Sequence, residues 1–260
     1  DQHGGMAMFP MPVKWEVAAD DRFGEVVASG GALPRPELGH AVHVEVAGLQ
    51  PDRPYWYRFE AGAERSIEGC GRTLPAAGAT PEALSFGVCG CQAWEDGYYT
   101  AFRHLAREDL AFVYHYGDYI YEYRGGPTRA GWGGGLTVAA RESVGQTLYD
   151  IADYRQRYAQ AKSDPDLQRA HAAHAFVHSF DDHEIVDNWV QDMDTPGTPP
   201  EIFRLRRAAA LQAWYEHMPV RRASMPRFGD IAMYRSLHYG NLAEIDILDT
   251  RQYRSNQPCD

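Results

Sequence analysis

Three short stretches of the 260-residue chain combine side chains that bind cations and move protons. They are Cys91, Asp118 with Tyr121, and Asp181-Asp182-His183-Glu184 followed by Asp187-Asn188. Each follows a run that reads as a strand: Ser85–Val88, Leu110–Tyr116 and His174–Phe180. Gly117 lets the backbone turn sharply just before Asp118. Sequential strand ends in an α/β unit meet at one sheet edge, where such folds bind ligands. A thiolate and a phenolate favour a trivalent or transition metal such as iron. Carboxylate and Asn oxygens suit calcium, magnesium or manganese. Two neighbouring cations bridged by Asp118 could clamp a phosphate ester and activate a hydroxide for in-line attack. His183, beside an acidic ligand, could protonate the leaving oxygen or stabilise phosphoryl charge.

Each element also has a plain structural reading. Cys91 can be a small buried residue, and Tyr121 can be packing. Asp-Asp-His-Glu can open a helix, where the dipole favours carboxylates. His183 can be structural, and His115, His174, His178 and His238 read as core or surface residues. Only the joint occurrence at three strand ends argues for a site. The composition agrees: a net charge of −11 opposes a surface built for nucleic-acid phosphates and leaves acids free to hold cations. No apolar run reaches the roughly 20 residues of a membrane span. The chain opens DQHGGMAMFP, without a visible signal peptide, as a processed or a trimmed start would. Cys89 and Cys91 are too close for an ordinary disulfide. A Cys70–Cys89 bridge is one possibility, with Cys91 free for chemistry and Cys259 unpaired.

The elements that position these residues read as an α/β (α+β) chain. Residues 1–75 are β-patterned, with runs at Val13–Val17, Gly24–Ala28, His40–Val46, Tyr55–Phe59 and Glu68–Thr73 between Gly, Pro and Asp turns. This spacing predicts an antiparallel sandwich, and the Gly48-Leu-Gln-Pro to Tyr55–Phe59 pattern is similar to a fibronectin III strand pair. Leu74–Pro81 reads as a linker. From 76 to 260 strands alternate with helical stretches: Tyr98–Arg107, Ser143–Ala161, Asp164–Ala173 with Pro165 at its first position, and Pro199–His217. Met233–Tyr239 and Leu242–Leu248 read as a hairpin. Gly125–Gly135 reads as a glycine-rich surface loop or lid and lacks the lysine and spacing of a phosphate-cradling loop.

Cys91-Gln92, Gly117-Asp-Tyr-Ile-Tyr-Glu122, Phe180-Asp-Asp-His-Glu184 with Asp187-Asn188, and Leu248-Asp-Thr-Arg-Gln-Tyr-Arg254, in that order, resemble the PhoD-like alkaline phosphatase and phosphodiesterase family. The resemblance runs over nearly the whole chain. It implies a four-layer α/β/β/α metallophosphatase-like domain behind the N-terminal sandwich, and a site of one ferric ion with calcium. Carried over by position, Cys91, Asp118 and Tyr121 would bind iron, with Asp118 bridging to calcium. Asp182 and, with less weight, Asn188 would lie on the calcium side. His183 matches the catalytic histidine, and Asp181 would stand behind the ligands. Arg251 would steady the site or touch phosphate, unless it is a structural ion-pair partner. The family pattern continues past Leu248–Arg254 with further Asp and His ligands, so residues 76–260 would be a C-terminally incomplete catalytic domain. Its missing C-terminal segment would be a partner, and the isolated chain would be inactive or poorly folded. The resemblance also implies export, to a secreted or periplasmic location.

The leading expectation is a metal-dependent phosphoesterase acting on phosphate mono- or diesters. A phospholipase D-type phosphodiesterase and a non-catalytic calcium-binding module for a surface polymer stand as alternatives.

Overall fold

The computed structural model describes residues 8–130 and 136–256. The architecture is mixed α/β. At the N-terminal end, β1 (Val13–Ala18), β2 (Val26–Ala32), β3 (Pro54–Ala61), β4 (Glu64–Arg65) and β5 (Gly69–Arg72) form one antiparallel sheet. Strand β1 sits between β2 and β3, with Trp15 opposite Gly30 and Phe59. Gly30 is required there, because a Cβ would collide with the Trp15 indole.

The alternating stretch His40–Val46 does not enter a ladder. Its odd-numbered face is taken up by other partners. His43 Nδ1 bonds the Val220 carbonyl at 2.9 Å and its ring stacks on Tyr215 at 4.2 Å. Glu45 accepts the Arg222 N–H at 3.0 Å. The segment is therefore an extended strap that docks side chains across the molecule, with no sheet edge of its own. The expected Cys70–Cys89 bridge is also absent, and both thiols are free. Cys70 lies opposite Trp56 in the N-terminal sheet, whereas Cys89 ends a strand of a different sheet. Cys259 lies outside the described residues.

The second sheet is parallel, in the order β10 (Phe176–His178), β7 (Phe112–His115), β6 (Phe86–Cys89). Helix α1 (Thr100–Leu105) links β6 to β7. Between β7 and β10 come a short hairpin, β8 (Thr128–Ala130) with β9 (Leu136–Val138), and helices α2 (Ile151–Lys162) and α3 (Pro165–Ala173). Strand β8 lies within the glycine-rich stretch Gly125–Gly135 and β9 directly follows it; residues 131–135 are outside the description. Helix α4 (Pro200–His217) and the hairpin β11 (Arg235–Tyr239) with β12 (Ala243–Ile247) complete the order.

Helix α2 starts later than apolar periodicity suggests, and its cap explains why. Asp150 accepts from the Ala152 and Asp153 amides, while the Asp153 carboxylate accepts from Asp150 N–H. This reciprocal box stops the helix from extending backwards. Arg157 then holds the preceding loop by donating to the carbonyls of Tyr121, Tyr123 and Val144. Asp164 caps α3 with Pro165 at its first position, as the sequence predicts.

The core lies among α2, α3, α4 and the parallel sheet. Tyr154, Tyr158, Leu167, Phe180, Trp189, Phe203, Leu211 and Trp214 are fully buried there. Phe180, just past β10, meets Trp214 of α4 edge-on at 5.5 Å. Each such side chain stabilises the fold by about 1.5–3 kcal/mol. A two-pronged pair, Arg155 with Glu216, ties α2 to α4 at 2.6 and 2.7 Å, and Arg155 also donates to the Glu37 carbonyl. These anchors fix the platform from which the strand-end loops emerge.

His115 and His178 are buried in this platform, and the half-buried His171 and His217 pack beside it. Burial lowers His115 to about 3 and His217 to about 4, and holds His171 and His178 well below the ordinary value. The unfolded chain binds protons near the ordinary 6.5, so it takes up more protons than the folded chain below that pH. The stability these neutral rings contribute is complete above 6.5 and is lost as pH falls towards 3. Urea unfolding should therefore show a midpoint that drops between about pH 7 and pH 5, with His115 alone responsible for on the order of 2 kcal/mol. A midpoint constant over that range contradicts the burial of neutral rings.

Candidate metal centre

The three parallel strands are in register at their C-terminal ends, with Cys89 opposite His115 and His115 opposite His178. Their loops therefore leave the sheet at one level. The Cys91 and Gln92 amides donate to the Gly117 and Asp118 carbonyls, both at 3.0 Å. Gly117 has φ 128° and passes so close to Phe180-Asp181 that a Cβ would overlap the Asp181 backbone. Cys91, Asp118 and Asn188 all have left-handed backbones, with φ of 51°, 56° and 57°. Three such residues clustered in converging loops are the kind of strain that recurs at functional sites.

The side chains converge on Asp118. Its Oδ2 lies 3.3 Å from Cys91 Sγ and accepts the Tyr121 hydroxyl at 3.2 Å. Its Oδ1 is buried with no hydrogen-bond partner among the described residues. Asp118, Asp182 and His183 each offer a ligand atom, all within 4.8 Å of one another. Asn188 stands behind this group. Its amide donates to Asp182 Oδ2 at 2.7 Å, while its side chain is engaged with Asp187. Arg251 reaches Asp181 Oδ1 at 2.6 Å and Asp182 Oδ1 at 3.2 Å, so it is an ion-pair partner of the acidic loop.

Two residues to which the sequence analysis assigns no individual role complete the site. Glu122 is 2% exposed; one oxygen accepts His183 Nδ1–H at 2.8 Å and the other accepts the Asp187 amide at 2.8 Å. This fixes the ring orientation and leaves Nε2 available. The ring also stacks on Tyr121 at 4.3 Å. Glu184 accepts the Tyr119 and Asp181 amides at 2.8 and 2.9 Å, tying the loops after β7 and β10 together. Their signal was adjacency: Glu122 ends the Gly117–Glu122 motif and Glu184 follows His183.

The electrostatics are those of crowded acids. Burial raises the Asp118 carboxyl, His183 offsets this, and Asp182 adds to it. Burial and then the charge of Asp118 raise the Glu184 carboxyl. Burial, then the charge of Asp118, pushes the Cys91 thiol up to about 11, and the same two causes raise Tyr121. For His183, burial acts to lower it but is outweighed by Glu122, Asp182 and Asp118, which together bring it to about 9. A cation among these groups reverses the acid shifts and turns thiol and phenol into anionic ligands. The donor set, the orphaned Asp118 oxygen and the short mutual distances fit a bound cation.

The close passage at Gly117 can be tested directly. Gly117→Ala combines a disfavoured φ with backbone overlap, so it should lower stability by more than about 2 kcal/mol in denaturant melts. A variant as stable as the parent contradicts the described contact.

Residues 86–260 match the PhoD-like phosphatase family, and residues 3–75 match the PhoD-like phosphatase N-terminal domain. Alkaline phosphatase D of Bacillus subtilis (strain 168) is 46% identical over 254 residues, which is 98% of this chain and 43% of that protein. A solved structure of PhoD superposes with a TM-score of 0.94 at 45% identity, covering 99% of this chain and 48% of that one. The chain thus spans less than half the length of these two relatives. It belongs to the PhoD-like phosphatase family.

Proposed function

We propose that this chain carries part of the active site of a metal-dependent phosphoesterase of the alkaline phosphatase type, acting on phosphate mono- or diesters. The observation that carries the reading is the meeting of Cys91 Sγ and the Tyr121 hydroxyl on one oxygen of Asp118, while its other oxygen is buried and unpartnered. Cys91, Asp118 and Tyr121 would hold a ferric ion. Asp118 would also face a calcium ion, with Asp182 and, by a side-chain turn, Asn188. Cations there supply Lewis acidity, answering charge on phosphoryl oxygens and acidifying water.

The chain's own residues do the rest. Glu122 commits Nδ1 of His183, so Nε2 is the atom that would give a proton to the departing alkoxide. Arg251 holds Asp181 and Asp182 in place, which keeps the acidic loop aimed at Asp118. We read residues 1–75 and 76–260 as separate units, in line with the two family matches. The second layer of the N-terminal sandwich and the four-layer catalytic arrangement would be completed by polypeptide outside this chain. Phe86 and Val88, exposed on β6, suit a face that receives such a layer. A secreted or periplasmic mature protein is the location the family resemblance suggests.

The test is turnover by the complete protein of p-nitrophenyl phosphate and bis-p-nitrophenyl phosphate at alkaline pH. A chelator should abolish it. Asp118→Asn should remove it, and His183→Gln should lower kcat by about 10²–10⁴-fold. Glu122→Gln should lower kcat more mildly, by about tenfold, with KM little changed. Tyr121→Phe should remove any visible phenolate–iron absorption. Full turnover in Asp118→Asn overturns the site; binding of substrates without turnover by the metal-loaded protein overturns the enzymatic reading.

A further inference from the structure

A cleft of about 750 Å³ separates the N-terminal sheet from the far side of the α/β platform. One wall is aromatic and aliphatic: Trp15, Tyr55, Tyr57, Phe59 and Val44. The opposite wall carries Met218 and Leu237 beside Lys162, His171, His217 and Arg235. The charges in this lining are unevenly matched. Glu16 is paired with Arg58, Glu216 with Arg155, and Glu45 accepts the Arg222 amide. Arg72 is paired with Asp52. Arg235 has no acidic partner among the described residues and donates only to the Met233 and His178 carbonyls.

Lys162, the last residue of α2, is more unusual. Its ammonium has neither a hydrogen bond nor an ion pair among the described residues; it lies over the face of the Tyr119 ring at 5.1 Å, and its charge acts on His115, His171, His178 and His217. Burial lowers it to about 8. Behind the same wall lie polar atoms that also lack partners. His178 is 1% exposed, and neither ring nitrogen is satisfied. Its ring is 5.9 Å from that of His171. The buried Tyr158 hydroxyl is unsatisfied too, and its ring stacks on His217 at 4.8 Å. Lys162 is half-buried and lines the cleft, so its ammonium is open to whatever anion or water occupies that space. The helix C-terminus answers Lys162 only in part.

We propose that this cleft is a second ligand site, distinct from the Asp118 centre, for a small amphiphilic anion. The acid group would sit on Lys162, on the cationic side of the cleft that Arg235 also lines, and an aryl or acyl body would lie against Trp15, Tyr55, Phe59 and Leu237. Such a ligand bridges the N-terminal sheet and the platform, so its binding couples the two parts. None of these residues belongs to the metal centre, and the proposal stands whether or not the chain is a phosphoesterase.

The experiment is calorimetric titration of the complete protein with 4-phenylbutyrate, a carboxylate that no phosphoesterase hydrolyses, beside its uncharged amide. The wild type should bind the acid at one site and at least about tenfold more tightly than the amide. Lys162→Met keeps the aliphatic stem and should erase that preference, with metal content unchanged. Arg235→Gln should weaken the acid alone, and covers the case in which Lys162→Met folds poorly. The acid should also raise the melting temperature in a concentration-dependent way. No binding by the wild type, as when the remaining polypeptide fills the cleft, overturns the proposal. So does equal binding of acid and amide, or an acid affinity unchanged in both variants.

Discussion

A carboxylate held away from water must have its charge answered, or the fold that buries it loses several kcal/mol. Asp118 is in that position. The chain places it directly after a parallel strand, in a left-handed backbone, against Cys91 and Tyr121 on one side and Asp182 on the other. None of these three neighbours is a cation; His183 lies beside them, and one Asp118 oxygen has no hydrogen-bond partner among the described residues. Much of the surrounding structure can be understood as holding this acid where it would otherwise not stay.

The holding devices are mostly backbone. Registered strand ends bring three loops to one level, and two amide-to-carbonyl bonds, from Cys91 and Gln92 to Gly117 and Asp118, lock the loop of Cys91 to that of Asp118. Gly117 allows the third loop to pass within contact distance. Glu184 spans two loops through amide hydrogen bonds, and Arg251 neutralises the acidic turn from a distant part of the chain. Glu122 orients the imidazole. Stability and chemistry therefore share residues here: the contacts that make the loops rigid also fix the donor atoms to a geometry that a cation can use.

The convergence of Cys91, Asp118, Tyr121, Asp182 and His183 was legible because strand content, a glycine and a carboxylate recur in the right order, and parallel topology does the rest. Helix α3 was legible down to its Asp164-Pro165 start. Other features were not. The alternation at His40–Val46 has the period of a strand, but period does not say whether a neighbour offers a ladder. His43 and Glu45 found partners near α4 instead. The late start of α2 depends on a reciprocal Asp150–Asp153 cap, which apolar periodicity does not register. The roles of Glu122 and Glu184 are set by loops that meet only in three dimensions. Cys70 and Cys89 could be paired on paper, but they belong to different sheets.

The central claim is that thiol, phenol and carboxylate from separate loops share a cation. It is tested most directly by measuring iron and calcium per chain in the complete protein and locating the iron by anomalous scattering. The account predicts iron in contact with Cys91, Asp118 and Tyr121, with calcium beside Asp118 and Asp182, and loss of both ions in Asp118→Asn. A complete, active protein with no metal at Asp118, or with full metal content in Asp118→Asn, contradicts it.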